Sequence, residues 1–215
     1  METRLLLLRH AETAAPERFH GAESDIGLGV RGRRQALLLA RYLATLAPDA
    51  LFSSPMKRAL ETAETIGETC ALRVKLVPEL FEQRMGPLSG VSKRAGWRHY
   101  ELQLERWKAG DLHYAMPGAE SYEEVRLRAE PALRKLLGGA EGSTIVVVCH
   151  GLVTRVLLTT LLDDLSPAAI DRVGIDTASI NDLRFDGAHF RAEALNERPF
   201  ALEALGAEES AAASE

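Results

Sequence analysis

The sequence predicts an α/β protein: a three-layer αβα arrangement with a mostly parallel central sheet, an antiparallel edge strand and a small helical cap. Short continuous apolar runs alternate with longer segments whose leucines and alanines recur at helical spacing. That is the pattern of strands buried on both faces and joined by crossover helices. The last two apolar runs flank an Asp186-Gly187 pair, a hairpin signal, and the 85–117 segment interrupts the alternation.

The elements follow in order. Four leucines at 5–8 read as a short buried strand. Residues 28–46 carry leucines at helical spacing after a Gly-rich loop. Residues 50–53 read as a second strand, and 55–68 as a helix with Ser54 as N-cap and Pro55 at its first position. A third strand is expected at 74–77 and a helix at 97–108. The helix at 121–137 is opened by Ser121-Tyr122-Glu123-Glu124, a capping box. Residues 144–148 are β-branched and apolar, the clearest strand in the chain. Residues 152–162 read as a buried helix, and Ser166-Pro167 starts a shorter one. Residues 180–185 and 190–194 complete the closing hairpin. A single domain over 1–205 is expected, with 85–117 as its cap or lid. Residues 206–215 are mostly Ala, Ser and Glu and are expected to form a disordered tail.

Composition narrows the function. The chain has 215 residues, 46% of them hydrophobic, enough to bury a core without a staple or metal. A net charge of -5 argues against nucleic acid or an anionic membrane as partner, though a few arginines can still make a local site for a small anion. Cys70 and Cys149 form no CxxC pair, so neither a disulfide scaffold nor a zinc site is expected. The 5–8 run is too short for a signal segment, and no stretch approaches membrane-spanning length. A reduced cytoplasmic setting is the expectation, with a homodimer left open.

In a doubly wound sheet, ligands collect beyond the carboxyl ends of the strands. Three expected strands end in residues suited to phosphate: Arg9-His10, then Ser53-Ser54-Pro55-Met56-Lys57-Arg58, then Cys149-His150-Gly151. Each has an ordinary structural reading: a hydrogen-bonded strand-end histidine, a solvated helix arginine, capping serines. Their recurrence at three strand ends points to one shared site.

These segments carry a resemblance to the histidine phosphatase superfamily, the phosphoglycerate-mutase-like proteins. Leu8-Arg9-His10-Ala11-Glu12-Thr13 resembles that family's Arg-His-Gly-Glu-Thr signature. The segment from Ser53 to Ala63 resembles its Ser-Pro-x-x-Arg-Ala-x-x-Thr-Ala. Pro117-Gly118-Ala119-Glu120-Ser121 and Val148-Cys149-His150-Gly151 follow in family order, and Leu80-Phe81-Glu82 resembles the acid-bearing segment. The likeness runs to about Ala194. Ala11 stands where the family usually has glycine, and Pro16 where many members have asparagine.

The resemblance implies a phosphatase acting on small phosphate monoesters, with His10 as nucleophile and Glu82 as proton donor, Glu79 being the fallback. Arg9, Arg58 and His150 would bind the phosphoryl group, and Gly151, Thr13, His20 and Gly21 would belong to the substrate pocket. Arginine grips phosphate oxygens bidentately, so no metal or other cofactor is called for. His10 must be neutral to attack, and neighbouring arginines favour that form. Glu82 must hold a proton when substrate is bound, which predicts an optimum on the acidic side of neutral.

Three rival readings remain. A phosphoglycerate mutase would use the same residues and re-donate the phosphoryl group; the compact 85–107 stretch favours water entry instead. A cysteine phosphatase would use Cys149 and Arg155 as a Cys-x5-Arg loop, although Leu152 and Val153 read as buried helix. A non-catalytic phosphate-binding module would not need the full set of Arg9, His10, Arg58 and His150. Trp97, Tyr100, Trp107 and Tyr114 line a lid or simply pack, and the 31–34 arginine run reads as a solvated helix start.

Overall fold

The four leucines near the start of the chain are buried on alternate faces of one strand. In the computed structural model, which describes residues 1–199, β1 spans Thr3–Arg9. Leu5 and Leu7 enter one core, and Leu6 and Leu8 enter the other. Period-two geometry on a strand covered on both sides therefore requires the continuous apolar run.

Around it lie α1 (Val30–Thr45), β2 (Ala50–Ser53), α2 (Lys57–Cys70), β3 (Val74–Leu76), α3 (Lys93–Lys108), α4 (Tyr122–Leu137), β4 (Thr144–Cys149), α5 (Gly151–Leu161), β5 (Ile180–Phe185) and β6 (Phe190–Glu197). The sheet has six strands in the order β3-β2-β4-β1-β5-β6. The pairs β2–β3, β2–β4 and β1–β4 are parallel. The edge beyond β1 is the expected antiparallel hairpin: β5 runs against β1, and β6 folds back on β5.

Leu39, Leu43, Ala59 and Ile66 from α1 and α2 pack on Leu6, Leu8, Leu51, Val146 and Val148. Val125 and Leu133 of α4 and Val153 and Leu157 of α5 cover Leu5, Leu7, Ile145 and Val147 on the opposite face. The capping box that opens α4 is complete, with Ser121 and Glu124 each bonded to the other's backbone. The 85–117 segment contributes α3, whose Tyr100, Leu104 and Trp107 extend this second core.

Three helix starts differ from the expectation by two residues or more, the first helix opening at Val30 in place of Leu28. The second helix begins at Lys57 with Met56 as its N-cap residue, and Ser54 is turned to a partner far along the chain. The third begins at Lys93, four residues before Trp97, because Ser92 supplies the cap by accepting from Ala95 N. The expected tail at 206–215 lies outside the described residues.

Strand register aligns the chemistry. Leu8 and Ser53 both pair with Val148, and Arg9 pairs with Cys149. The residues just past these strand ends, His10, Ser54 and His150, therefore emerge at one level. Backbone bonds from His10 N to Cys149 O (3.0 Å) and Ser54 N to Val148 O (3.0 Å) extend the ladder to them.

Candidate active site

His10 is 4% exposed. Its Nδ1 lies 2.7 Å from the Ala11 carbonyl oxygen, so that nitrogen donates and Nε2 keeps its lone pair. Arg58 Nε donates to Nε2 at 3.3 Å. Burial, then Arg58 and Arg9, hold the His10 pKa well below the ordinary 6.5, and the ring is neutral at physiological pH.

Arg58 is itself buried at 1% exposure. Its Nη1 donates to Ser24 O at 2.9 Å and its Nη2 to His20 O at 3.1 Å. The helix that carries it is pinned to the nucleophile loop by Thr62, whose Oγ1 donates to Arg58 O (2.8 Å) and accepts from Ala11 N (3.1 Å). Arg9 donates from Nη1 to Ile175 O at 2.7 Å, while its buried Nε has no partner among the described residues. A Cβ on Gly151 would lie 3.3 Å from the Arg9 guanidinium carbon, so this glycine leaves room for the arginine.

His150 is fully buried, with its ring 5.2 Å from that of His10. Its Nε2 is 2.7 Å from Ser54 Oγ. Ser54 Oγ also accepts from Met56 N at 3.3 Å, so its own hydrogen is available for Nε2. That leaves Nδ1, which has no partner among the described residues, to carry the imidazole proton. Burial first, then Arg58 and His10, lower this histidine's pKa as well.

Glu82 is 8% exposed, and its carboxylate sits at the N-terminus of α5. Its Oε1 accepts from Gln83 N (2.9 Å) and Val153 N (3.2 Å), and its Oε2 from Leu152 N (3.3 Å). The segment around it is clamped by Arg128, which donates from Nη1 to Glu79 O (2.6 Å) and Phe81 O (2.8 Å) while bonding Glu120. Glu79 is exposed and does not line the pocket, so of these two carboxylates Glu82 is the one placed there, alongside Glu12 and Asp176 in the lining.

A pocket of about 380 Å³ opens at these strand ends, lined by Arg9, His10, Thr13, His20, Arg58, Glu82 and Gly151. His150, expected to bind substrate, is not among the lining residues; it is fully buried against the His10 ring. Two expected rim residues have other work. Both ring nitrogens of His20 are engaged, at 2.8 Å to Ser24 Oγ and 2.8 Å to Ala15 O. Gly21 is not part of the lining; a Cβ on it would meet Gln83 O and Met85 Cγ at 2.9 Å, so it is a packing glycine. Sequence reasoning overlooked Lys93 as a lining residue and did not place Arg155 there. Ser54, read from sequence as a cap, partners His150.

The cysteine loop does not form. Cys149 is buried in the core that faces α4 and α5, its Sγ 3.6 Å from Leu80 O, and burial pushes its thiol pKa up to about 12. Arg155 instead donates from Nε to Val173 O at 3.0 Å. Among the described residues, no group of three or more His, Cys, Asp or Glu side chains could hold a metal ion, and no helix is long and apolar enough to cross a membrane.

Comparison with known proteins adds to this geometry. Residues 5–198 match the histidine phosphatase superfamily (branch 1). A bifunctional protein of Mycobacterium tuberculosis is 36% identical over 191 residues, covering 86% of this chain and 52% of that protein. The chain thus spans about half the length of that relative, at 52%. A probable phosphoglycerate mutase of Enterobacter sp. is 32% identical over 73% of each chain. A metal-independent phosphoserine phosphatase of Arabidopsis thaliana is 29% identical over 85% of this chain and 79% of its own. Among solved structures, a mycobacterial glucosyl-3-phosphoglycerate phosphatase superposes with a TM-score of 0.78 at 28% identity, covering 92% of this chain and 100% of that one.

Proposed function

The chain belongs to the histidine phosphatase superfamily, and from that premise we propose that it hydrolyses small phosphate monoesters through a phosphohistidine on His10. The observation that carries this is the state of His10: neutral, with Nδ1 committed to the Ala11 carbonyl and Nε2 presenting its lone pair beside Arg58. The relatives named as phosphatases support the hydrolytic outcome.

In this reading Arg9, Arg58 and His150 Nδ1–H bind the phosphoryl oxygens, and Nε2 attacks phosphorus. The N–P bond forms as the ester P–O bond breaks. The departing oxygen takes a proton from Glu82. The Ala11 carbonyl, still accepting from Nδ1–H, stabilises the positive charge that the imidazole acquires. Water then attacks phosphorus, giving its proton to Glu82, and phosphate leaves with His10 restored. The 85–117 segment acts as the lid. The guanidinium groups supply the positive charge, so a chelator is expected to leave activity intact.

We also place the protein in the cytosol, in keeping with Cys70 and Cys149 as free thiols. The mutase reading uses the same residues and differs only in the acceptor. Incubation with a labelled phosphate ester should trap an acid-labile, base-stable phosphoenzyme, with release of inorganic phosphate. His10→Ala should abolish the trapped label and lower turnover about a thousandfold or more. Full activity in His10→Ala would overturn the proposal, and phosphoryl transfer to a second alcohol in place of phosphate release would establish the mutase.

A further inference from the structure

The peptide that joins Ala11 to Glu12 orients the His10 ring, and it is bonded at both of its polar ends. Its carbonyl oxygen accepts from His10 Nδ1 at 2.7 Å, and its N–H donates to Gln35 Oε1 at 2.9 Å. Among the described residues no other group is bonded to this peptide. The peptides on either side are fixed independently. Before it, His10 O accepts from Ala178 N (3.1 Å) and Ala11 N donates to Thr62 Oγ1 (3.1 Å). After it, Glu12 O accepts from Gly29 N at 3.0 Å. Gln35 is thus the one side chain, besides His10 itself, that holds the plane from which the orienting carbonyl projects.

Gln35 lies on α1, just after the arginine-rich stretch at 31–34, and is 1% exposed. Its side chain makes this one hydrogen bond among the described residues. A methionine would fill a buried helix position without the desolvation cost of an amide, so packing alone does not account for the residue. Gly32, one turn earlier, serves the same contact. A Cβ there would collide with Glu12 O, so the glycine lets the loop sit within reach of Gln35. Because Glu12 N is a donor, only the carbonyl end of the Gln35 amide can face it, and the direction of the chain is fixed. Imidazole N–H, peptide and side-chain amide each donate to the next. Hydrogen bonds in series polarise one another, so acceptance by Gln35 makes the Ala11 oxygen a stronger acceptor for Nδ1–H. The gain is largest when Nε2 bonds to phosphorus and the ring turns positive.

Resting on the phosphatase reading, we propose that Gln35 is a positioning residue for the nucleophile: through the Ala11–Glu12 peptide it fixes the Nδ1–H tautomer of His10 and strengthens the carbonyl that stabilises the phosphorylated ring. It is not among the residues that line the pocket, so it acts without touching substrate.

Gln35→Met removes the acceptor at nearly constant volume, and Gln35→Glu keeps one. With an aryl phosphate as substrate, Gln35→Met should lower kcat about tenfold, the loss expected from one buried hydrogen bond. KM should change little, because Arg9 and Arg58 are untouched. Gln35→Glu should recover most of the loss. A packing role predicts the opposite order, since methionine suits a buried position better than a carboxylate does. Long-range proton–nitrogen spectra of histidine-labelled protein read the tautomer directly, with His10 identified by the signals that His10→Ala removes. The native protein and Gln35→Glu should show a protonated Nδ1 and a bare Nε2, and Gln35→Met a mixture of the two tautomers. Gln35→Asn, whose amide is drawn back by one carbon, carries the same expectation and replaces Gln35→Met if that variant does not fold. The spectra need no turnover, so a tautomer shift in a protein that hydrolyses no ester would keep the role of Gln35 while the phosphatase reading falls. Phosphate release with one unchanged His10 tautomer in every variant, or a loss of kcat that Gln35→Glu leaves uncorrected, would overturn the proposal.

Discussion

His10 and Arg58 each hold the other in a state that water would not impose. The imidazole accepts from a guanidinium that is itself desolvated, and burial plus the neighbouring arginines disfavour a proton on the ring. The acid limb of kcat/KM should therefore lie well below the 6.5 of an ordinary histidine. An acid limb near 6.5 in a pH–rate series would contradict this. Both strand-end histidines were legible in the sequence because a continuous apolar run stops at each. Ser54 was misread as a helix cap because its partner lies 96 residues away, beyond the reach of local pattern. Its hydroxyl holds Nε2 of His150 and leaves Nδ1 as the nitrogen proposed to meet the phosphoryl group. Ser54→Ala should lower kcat about tenfold, the scale of one hydrogen bond to a buried ring, with KM for the same ester changing less.

At the scale of elements, strand ends were legible and helix contacts were not. The central strands β1 and β4 announce themselves because both of their faces are apolar. What a helix packs against has no local signature, and Gly32 shows this. It falls in an arginine-rich stretch that reads as solvated helix, yet a Cβ there would come 1.9 Å from Glu12 O, backbone of the loop that carries Thr13. Gly32→Ala must push α1 off that loop and should cost about 1–3 kcal/mol, the range for overpacking, measurable by denaturant unfolding. The acid-bearing segment is likewise positioned from a distance, by Arg128 on α4 gripping the Glu79 and Phe81 carbonyls. Arg128→Met should let Glu82 drift from the leaving-group side. Turnover of alkyl phosphates should then fall several-fold more than that of aryl phosphates, whose leaving groups need no proton. Equal losses on both would remove Arg128 from the positioning of the acid.

Across the whole molecule, a net charge of -5 coexists with a cationic pocket, and global composition could not reveal that separation. The pocket also makes the fold pay for function in a way that pH exposes. His10 and His150 are both buried and neutral, with pKa values well below 6.5 in the folded protein. In the unfolded chain each regains a value near 6.5. Above that pH neither state binds the proton and stability is unaffected. As pH falls below it, the unfolded chain takes up protons that the folded protein refuses, and stability declines until the folded pKa values are reached. The slope approaches about 1.4 kcal/mol per pH unit for each histidine. Thermal unfolding at pH 8, 7, 6 and 5 should give a Tm that is level at the top of this range and falls below about pH 6.5. In His150→Gln the absolute Tm shifts, but the decline between pH 7 and 5 should become shallower, because one of the two refused protons is gone. An unchanged decline in that variant would mean that His150 is protonated in the folded protein, and its Nδ1 could not then be the neutral donor proposed for the phosphoryl group.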